Sequence, residues 1–234
     1  MLFAKIKSCF DYFTKTELLL WSSSVVLIVI SFLLFDRKGI LTLAASLIGV
    51  TSLIFNAKGN LAGQILMVIF SVLYGIISFS TGYYGEMITY LGMTAPMAVA
   101  ALISWSKNPY NGNKSEVKVN RIKAGETVFM LFIAAVVTVI FYFILDFFHT
   151  SALPLSTISV TTSFLGVYLT YKRSVFYAVG YAANDIVLIL LWVKAAFNDV
   201  SYISVAVCFT VFLINDIYGF LSWSKMQKYQ EKGA

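Results

Sequence analysis

Of the 234 residues, 59% are hydrophobic and 12% are charged, and the mean hydropathy is +0.84. Apolar runs of about twenty residues, one after another, exclude a soluble domain and specify a polytopic membrane protein. The net charge of +6 would suit a nucleic-acid binder, but the basic residues sit in short segments between the runs, where orientation in the membrane explains them.

Residues Met1 to Glu17 read as an amphipathic start, with Phe3, Ile6, Phe10 and Phe13 at helical spacing and Lys5, Lys7 and Lys15 between them. No small-residue cleavage site follows, so the segment is kept as mature protein. Four predicted spans come next: Leu18–Phe35, Ile40–Phe55, Leu61–Phe79 and Met87–Trp105. A polar stretch, NPYNGNKSEVKVNRIKAGE, then reads as a loop. Beyond it the predicted spans are Thr127–Phe148, Leu155–Tyr171, Ser174–Phe197 and Val200–Trp223. With a cytoplasmic amino terminus, all of the 17 basic residues except Arg37, Lys38 and Lys194 fall on the inside, which favours eight spans with both termini cytoplasmic. Cys9 and Cys208 lie far apart, and His149, the single histidine, sits at a predicted helix end. Neither a disulfide framework nor a metal site is expected, and no cofactor motif is present.

The sequence repeats internally. Ser104-Trp105-Ser106-Lys107 recurs as Ser222-Trp223-Ser224-Lys225, and the same offset of 118 residues lays Val72-Leu73-Tyr74 on Leu190-Leu191-Trp192. The implied unit is three helices. A single connector span lets the second unit start on the same side as the first, the parallel-repeat design that carriers use around a midplane site. The expected fold is therefore an all-α membrane protein with two parallel three-helix repeats, one connector helix and an extra N-terminal transmembrane helix. The divisions are 1–39 for the N-terminal segment and extra helix, 40–105 and 155–225 for the repeats, 106–154 for the basic loop and connector, and 226–234 for a cytoplasmic tail.

Polar groups inside the spans carry the functional signal. In the seventh span Tyr177, Tyr181, Asn184, Asp185, Leu188 and Trp192 share a stripe about 100° wide. An aspartate at the centre of a membrane helix costs roughly 2.5 to 3.5 kcal/mol on insertion scales, so it normally faces a protein interior or an aqueous cavity. The eighth span holds a second deep pair, Asn215 and Asp216. Gln64 and Tyr74 on the third span are candidates for the opposite wall of a pocket. Plain packing contacts between helices are the competing explanation for all of these groups. Asn56 and Asn60 are expected to cap helix ends, Trp105 and Trp223 to anchor in the membrane interface, and Glu86 to lie at the outer surface as a solvated charge. Pro96 predicts a kink in the fourth span. Gly166 and Gly180 are among the small residues expected to let helices approach closely.

Several stretches carry a family resemblance: Tyr74-Gly75-Ile76-Ile77-Ser78-Phe79, Tyr168-Leu169-Thr170-Tyr171-Lys172-Arg173, Asp216-Ile217-Tyr218-Gly219-Phe220-Leu221-Ser222-Trp223 and the paired Trp-Ser-Lys helix ends. In this order and spacing, from Ile40 to Lys225, the chain resembles the PnuC family of vitamin transporters, which share a SWEET-like architecture. The resemblance implies passive entry of nicotinamide riboside through the inner membrane, with relatives carrying thiamine or nucleosides and a cytoplasmic kinase trapping the riboside. Family members often have two tryptophans three apart at the start of the seventh span and an asparagine four residues later. Here those positions are Ala178, Tyr181 and Asp185.

A planar cationic pyridinium on a ribose wants aromatic faces and acceptors for the sugar hydroxyls. The expected substrate contacts are accordingly Asp185, Asn184, Tyr181, Tyr177, Trp192, Asp216, Asn215, Gln64 and Tyr74. The reading is a carrier of a small molecule in a lipid bilayer, working without nucleic acid, with a homo-oligomer as one form open to it. Its uptake is expected to be saturable and insensitive to collapse of a proton gradient. An intramembrane enzyme using Asp185 and Asp216 as a general acid and base is an alternative from another class, and a purely structural or receptor role is a third.

Overall fold

In lipid a backbone satisfies its hydrogen bonds internally only as a helix or a closed barrel, and the described residues form eight apolar helices long enough to span. The structure, a computed structural model, describes residues 12–80, 82–150 and 152–233. Most of the amphipathic start read from the sequence lies outside the described residues. The helices are α1 (Lys15–Phe35), α2 (Ile40–Ala57), α3 (Leu61–Ser80), α4 (Tyr84–Ser106), α5 (Ala124–Phe147), α6 (Leu153–Tyr171), α7 (Tyr177–Ala196) and α8 (Ile203–Lys232). Thr14 starts α1 with a capping box: its hydroxyl accepts from Glu17 N at 3.2 Å, and Glu17 Oε2 accepts from Thr14 N at 2.7 Å.

Packing follows a closed ring in which α2 touches α3, α3 touches α4, α4 touches α6, α6 touches α7, α7 touches α8, and α8 returns to α2. Two helices stay outside the ring. The connector α5 leans on α6, and α1 leans on α2 and α8. Their apolar stretches are only 17% and 22% buried, so lipid covers most of both. On α7, Phe176, Val179, Ile186, Leu190 and Val193 remain exposed, a lipid-facing stripe at helical spacing. Val187, next to Ile186, is buried.

Three local features depart from the sequence reading. The fourth span begins at Tyr84, and it is α-helical to Thr89, π-helical over Tyr90–Thr94 and α-helical again from Ala95. Pro96 follows the π turn directly; proline has no N–H to donate and crowds the preceding turn, and a slipped register relieves both. The polar stretch is not all loop, because Pro109–Tyr110 and Asn113–Val117 pair as an antiparallel hairpin. Asn111 and Gly112, both at positive φ, form its two-residue turn. Finally, α8 continues to Lys232, so the expected tail is largely helical. Gln230 ties it to the hairpin, donating to Val117 O at 3.0 Å and accepting from Val119 N at 2.8 Å, and Arg121 meets Glu231 at 2.7 Å.

At one end of the bundle lie this hairpin and most of the described basic side chains; it is called the basic end below. The loops around Asp36 and Asp199 form the far end.

Candidate functional site

The ring encloses two cavities one above the other. The larger, about 440 Å³, opens among the far-end loops at Asp36, Lys38, Asp199 and Ser201, and it runs inward to Tyr74, Trp192, Phe70 and Phe209. Below it Phe70 and Phe209 also line a second cavity of only about 20 Å³, whose polar groups are Asp185, Asp216, Asn184, Tyr181, Tyr90, Ser163 and Thr94. That volume admits roughly one water molecule. The two phenyl rings therefore separate an open vestibule from a closed polar chamber.

Helical geometry sets the levels. Trp192 and Asp185 are seven residues apart on α7, about 10 Å along the axis, and Tyr177 lies about 12 Å further toward the basic end. At the upper level Trp192 Nε1 donates to Tyr74 OH at 2.7 Å. The Tyr74 ring also meets Tyr90, Phe70 and Phe209 at centroid distances of 4.4, 5.6 and 5.5 Å. Tyr74 and Trp192 thus shape the vestibule floor, and neither reaches the closed chamber.

At the middle level Asp185 and Asp216 face each other, and both are at least 96% buried. Asp185 Oδ2 has no hydrogen-bond partner among the described residues. Beside it Asn184 Oδ1 accepts from Thr162 Oγ1 at 2.9 Å, Ser163 Oγ at 3.0 Å and Ser159 Oγ at 3.3 Å. Three hydroxyls on α6 hold this amide, which fixes the rotation of α7 and with it the aim of Asp185. Tyr181 lines the chamber and lies against Gly166.

The basic end is closed. Trp105 and Trp223 pack against each other at 5.3 Å with their rings tilted by 46°, and Tyr177 meets Trp223 edge-on at 4.8 Å. Trp105 Nε1 donates to Thr170 O at 2.9 Å at the end of α6, and Trp223 Nε1 donates to Asn56 O at 2.7 Å at the end of α2. The preceding serines copy the pattern, with Ser104 Oγ bonded to Tyr171 O at 2.8 Å and Ser222 Oγ to Ala57 O at 2.7 Å. Both tryptophans are at most 1% exposed, which corrects their expected role as interface anchors. The Trp105–Trp223 contact and the Trp192–Tyr74 bond each join residues 118 apart.

Three expected substrate contacts are placed elsewhere. Gln64 Nε2 donates to Asn56 Oδ1 at 2.8 Å near the basic end; ten residues separate Gln64 from Tyr74, about 15 Å of helix, so the two cannot share a pocket wall. Asn215 turns outward to α1, where Nδ2 donates to Ser24 Oγ at 3.0 Å. Tyr177 is part of the tryptophan closure. Glu86 also departs from expectation: it is 1% exposed, and neither carboxyl oxygen has a hydrogen-bond partner among the described residues. The sequence reading missed Phe209, Phe212, Tyr90 and Thr94. Phe209 and Phe212 stand seven and four residues before Asp216, a helical spacing that puts all three on one face, and that signal was available. Nothing in the sequence announced the π turn that aims Tyr90 and Thr94 inward.

Comparison with known proteins identifies the fold and the family. The chain is 25% identical over 198 residues to the nicotinamide riboside transporter PnuC of Neisseria mucosa, covering 83% of this chain and 75% of the relative. It is 22% identical over 194 residues to the protein of the same name from Haemophilus influenzae, covering 80% of each. The fold matches the crystal structure of the vitamin B3 transporter PnuC with a TM-score of 0.81, at 22% identity, over 93% of this chain and 94% of that one. These relatives are transporters and not enzymes, so the carboxyl pair is not read as a catalytic dyad. Residues 39–225 match the family described as nicotinamide mononucleotide transporter, and the chain belongs to that family of multi-pass membrane transporters.

Proposed function

We propose that the protein carries nicotinamide riboside across the inner membrane by alternating access. One observation carries the reading: a buried chamber with two carboxyls and an aromatic lining lies directly beneath a vestibule open at one end, while packed tryptophans seal the other. The basic end is cytoplasmic on this reading, because lysine and arginine concentrate there. The closed state described above then faces outward. Inward opening parts the Trp105–Trp223 contact while Phe70 and Phe209 stay closed over the cargo, with two three-helix units rocking about the axis on which the paired residues lie. The contacts between residues 118 apart support such an axis. In the chamber Asp185 and Asp216 attract the cationic ring, Tyr181 and Tyr90 offer it faces, and Asn184 and Ser163 meet ribose hydroxyls. A kinase in the cytoplasm traps the riboside as its phosphate and keeps the inward gradient.

A second cargo is favoured by one observation. Ala178, where family members often have a tryptophan, is completely buried and offers no ring, and Asp185 replaces an amide. Thiamine, also a ring cation, fits such a site, whereas a neutral nucleoside gains nothing from the carboxyls. Uptake of labelled nicotinamide riboside, thiamine and a nucleoside into proteoliposomes, side by side, tests the assignment. Saturable riboside uptake is expected, and preference for thiamine or the nucleoside would replace the cargo.

A further inference from the structure

On the transport reading Asp185 and Asp216 attract the cation, but that does not say how two carboxyls stay buried together when no cation is there. Both are buried at the closed chamber, and their side chains are within hydrogen-bonding reach of each other. Among the described residues, the groups around them supply no positive charge. Tyr177 and Tyr181 on α7, Tyr90 on α4 and Cys208 on α8 are the other titratable side chains near the pair. The faces of α2, α3 and α6 contribute Leu53, Met67, Phe70 and Ser163, all uncharged. Asp185 Oδ2 is buried with no hydrogen-bond partner among the described residues, on a side chain that lines the chamber. An uncompensated charge in such a place costs several kcal/mol, and two facing carboxylates repel as well. The closed chamber is therefore neutral whenever it crosses the membrane.

We infer that the Asp185–Asp216 pair is a shared site for protons and a cation: closed and empty it holds two protons, and a monovalent cationic ligand displaces one of them. Neutrality is kept in both forms, because the ligand brings one positive charge and one carboxyl gives up its proton to the water on the open side. Each cation moved inward is then exchanged for one proton moved outward, in place of the gradient-independent uptake expected from the sequence. The inference rests on the proposed riboside reading for the charge of its cargo.

The test uses the purified full chain with nicotinamide riboside as the probe. In weak buffer, one proton is expected to be released per riboside bound, and the apparent Kd is expected to fall about tenfold per unit rise in pH. In liposomes, an acidic interior should accelerate riboside uptake. The D185N/D216N double variant should release no proton. Riboside binding without proton release by the unaltered protein overturns the proposal, whether or not the double variant folds. Should the riboside not bind at all, the cargo assignment fails, and the infrared spectrum of the ligand-free protein decides the inference. A protonated-carboxyl C=O band lost stepwise in D185N and D216N sustains the two-proton site, and the absence of that band refutes it.

Discussion

Replacing Trp223 by phenylalanine isolates what holds the basic end shut. The ring contacts with Trp105 and Tyr177 are retained in kind, but the 2.7 Å bond from Trp223 Nε1 to Asn56 O is lost. In the closed state that carbonyl is buried and left without its donor, which costs about 1–3 kcal/mol. Once the end opens, water reaches the carbonyl and the cost disappears, so the substitution penalises the closed state alone. The closed-to-open equilibrium should shift by about 5- to 150-fold. The assay places a cysteine at Ser163, which lines the chamber, in a background where Cys9 and Cys208 are serine. Labelling by a membrane-impermeant thiol reagent applied from the basic end is then timed with and without Trp223→Phe. Faster labelling within that range is expected. Equal or slower labelling would refute the claim that the indole bond latches this end, even if transport also fell.

Asn184→Ala removes the acceptor of three α6 hydroxyls at once and should lower thermal stability in detergent by about 1–3 kcal/mol; a loss within error would mean the hydroxyls re-pair locally. Gly180→Ala puts a methyl 2.8 Å from the Gly166 backbone, where no flexible side chain can yield, so a cost of about 1–3 kcal/mol should appear as a lower melting temperature. Lys172 bonds Glu126 at 3.0 Å outside the ring, and that hydrogen bond raises the ammonium above its ordinary value of 10.5. Its contribution is therefore full below that value and is lost as pH rises through the raised one. Because the pair is half in solvent, Lys172→Ala should cost under about 1 kcal/mol at neutral pH and nothing at strongly alkaline pH, read by thermal unfolding across the range.

The spans were legible because a run of apolar residues long enough to cross lipid has essentially one backbone solution, and all eight begin within three residues of where hydropathy puts them. Asp185 and Asp216 were legible for a related reason, since so deep a charge needs company inside the protein. Which polar neighbour shares that company was not. Asn215 is adjacent to Asp216, but one step along a helix turns it by about 100°, and it finds Ser24 on a peripheral helix that the sequence does not tie to α8. Depth misled in the same way for Gln64, whose face is right and whose level is wrong. Trp105 and Trp223 illustrate a third failure: tryptophan at a span end is usually interfacial, and only the carbonyls exposed at the ends of α2 and α6 make burial favourable here. The Asn111-Gly112 pair was a readable hairpin signal that the high local charge obscured.

Gly166 and Gly180 bring α6 and α7 together main chain to main chain. Where two helices meet without interlocking side chains, no knobs have to leave their holes for one to swivel on the other. That crossing can serve as a fulcrum: the ends of α7 would swing in opposite directions about it, so that a small tilt widens the passage on one side of the bilayer while narrowing it on the other.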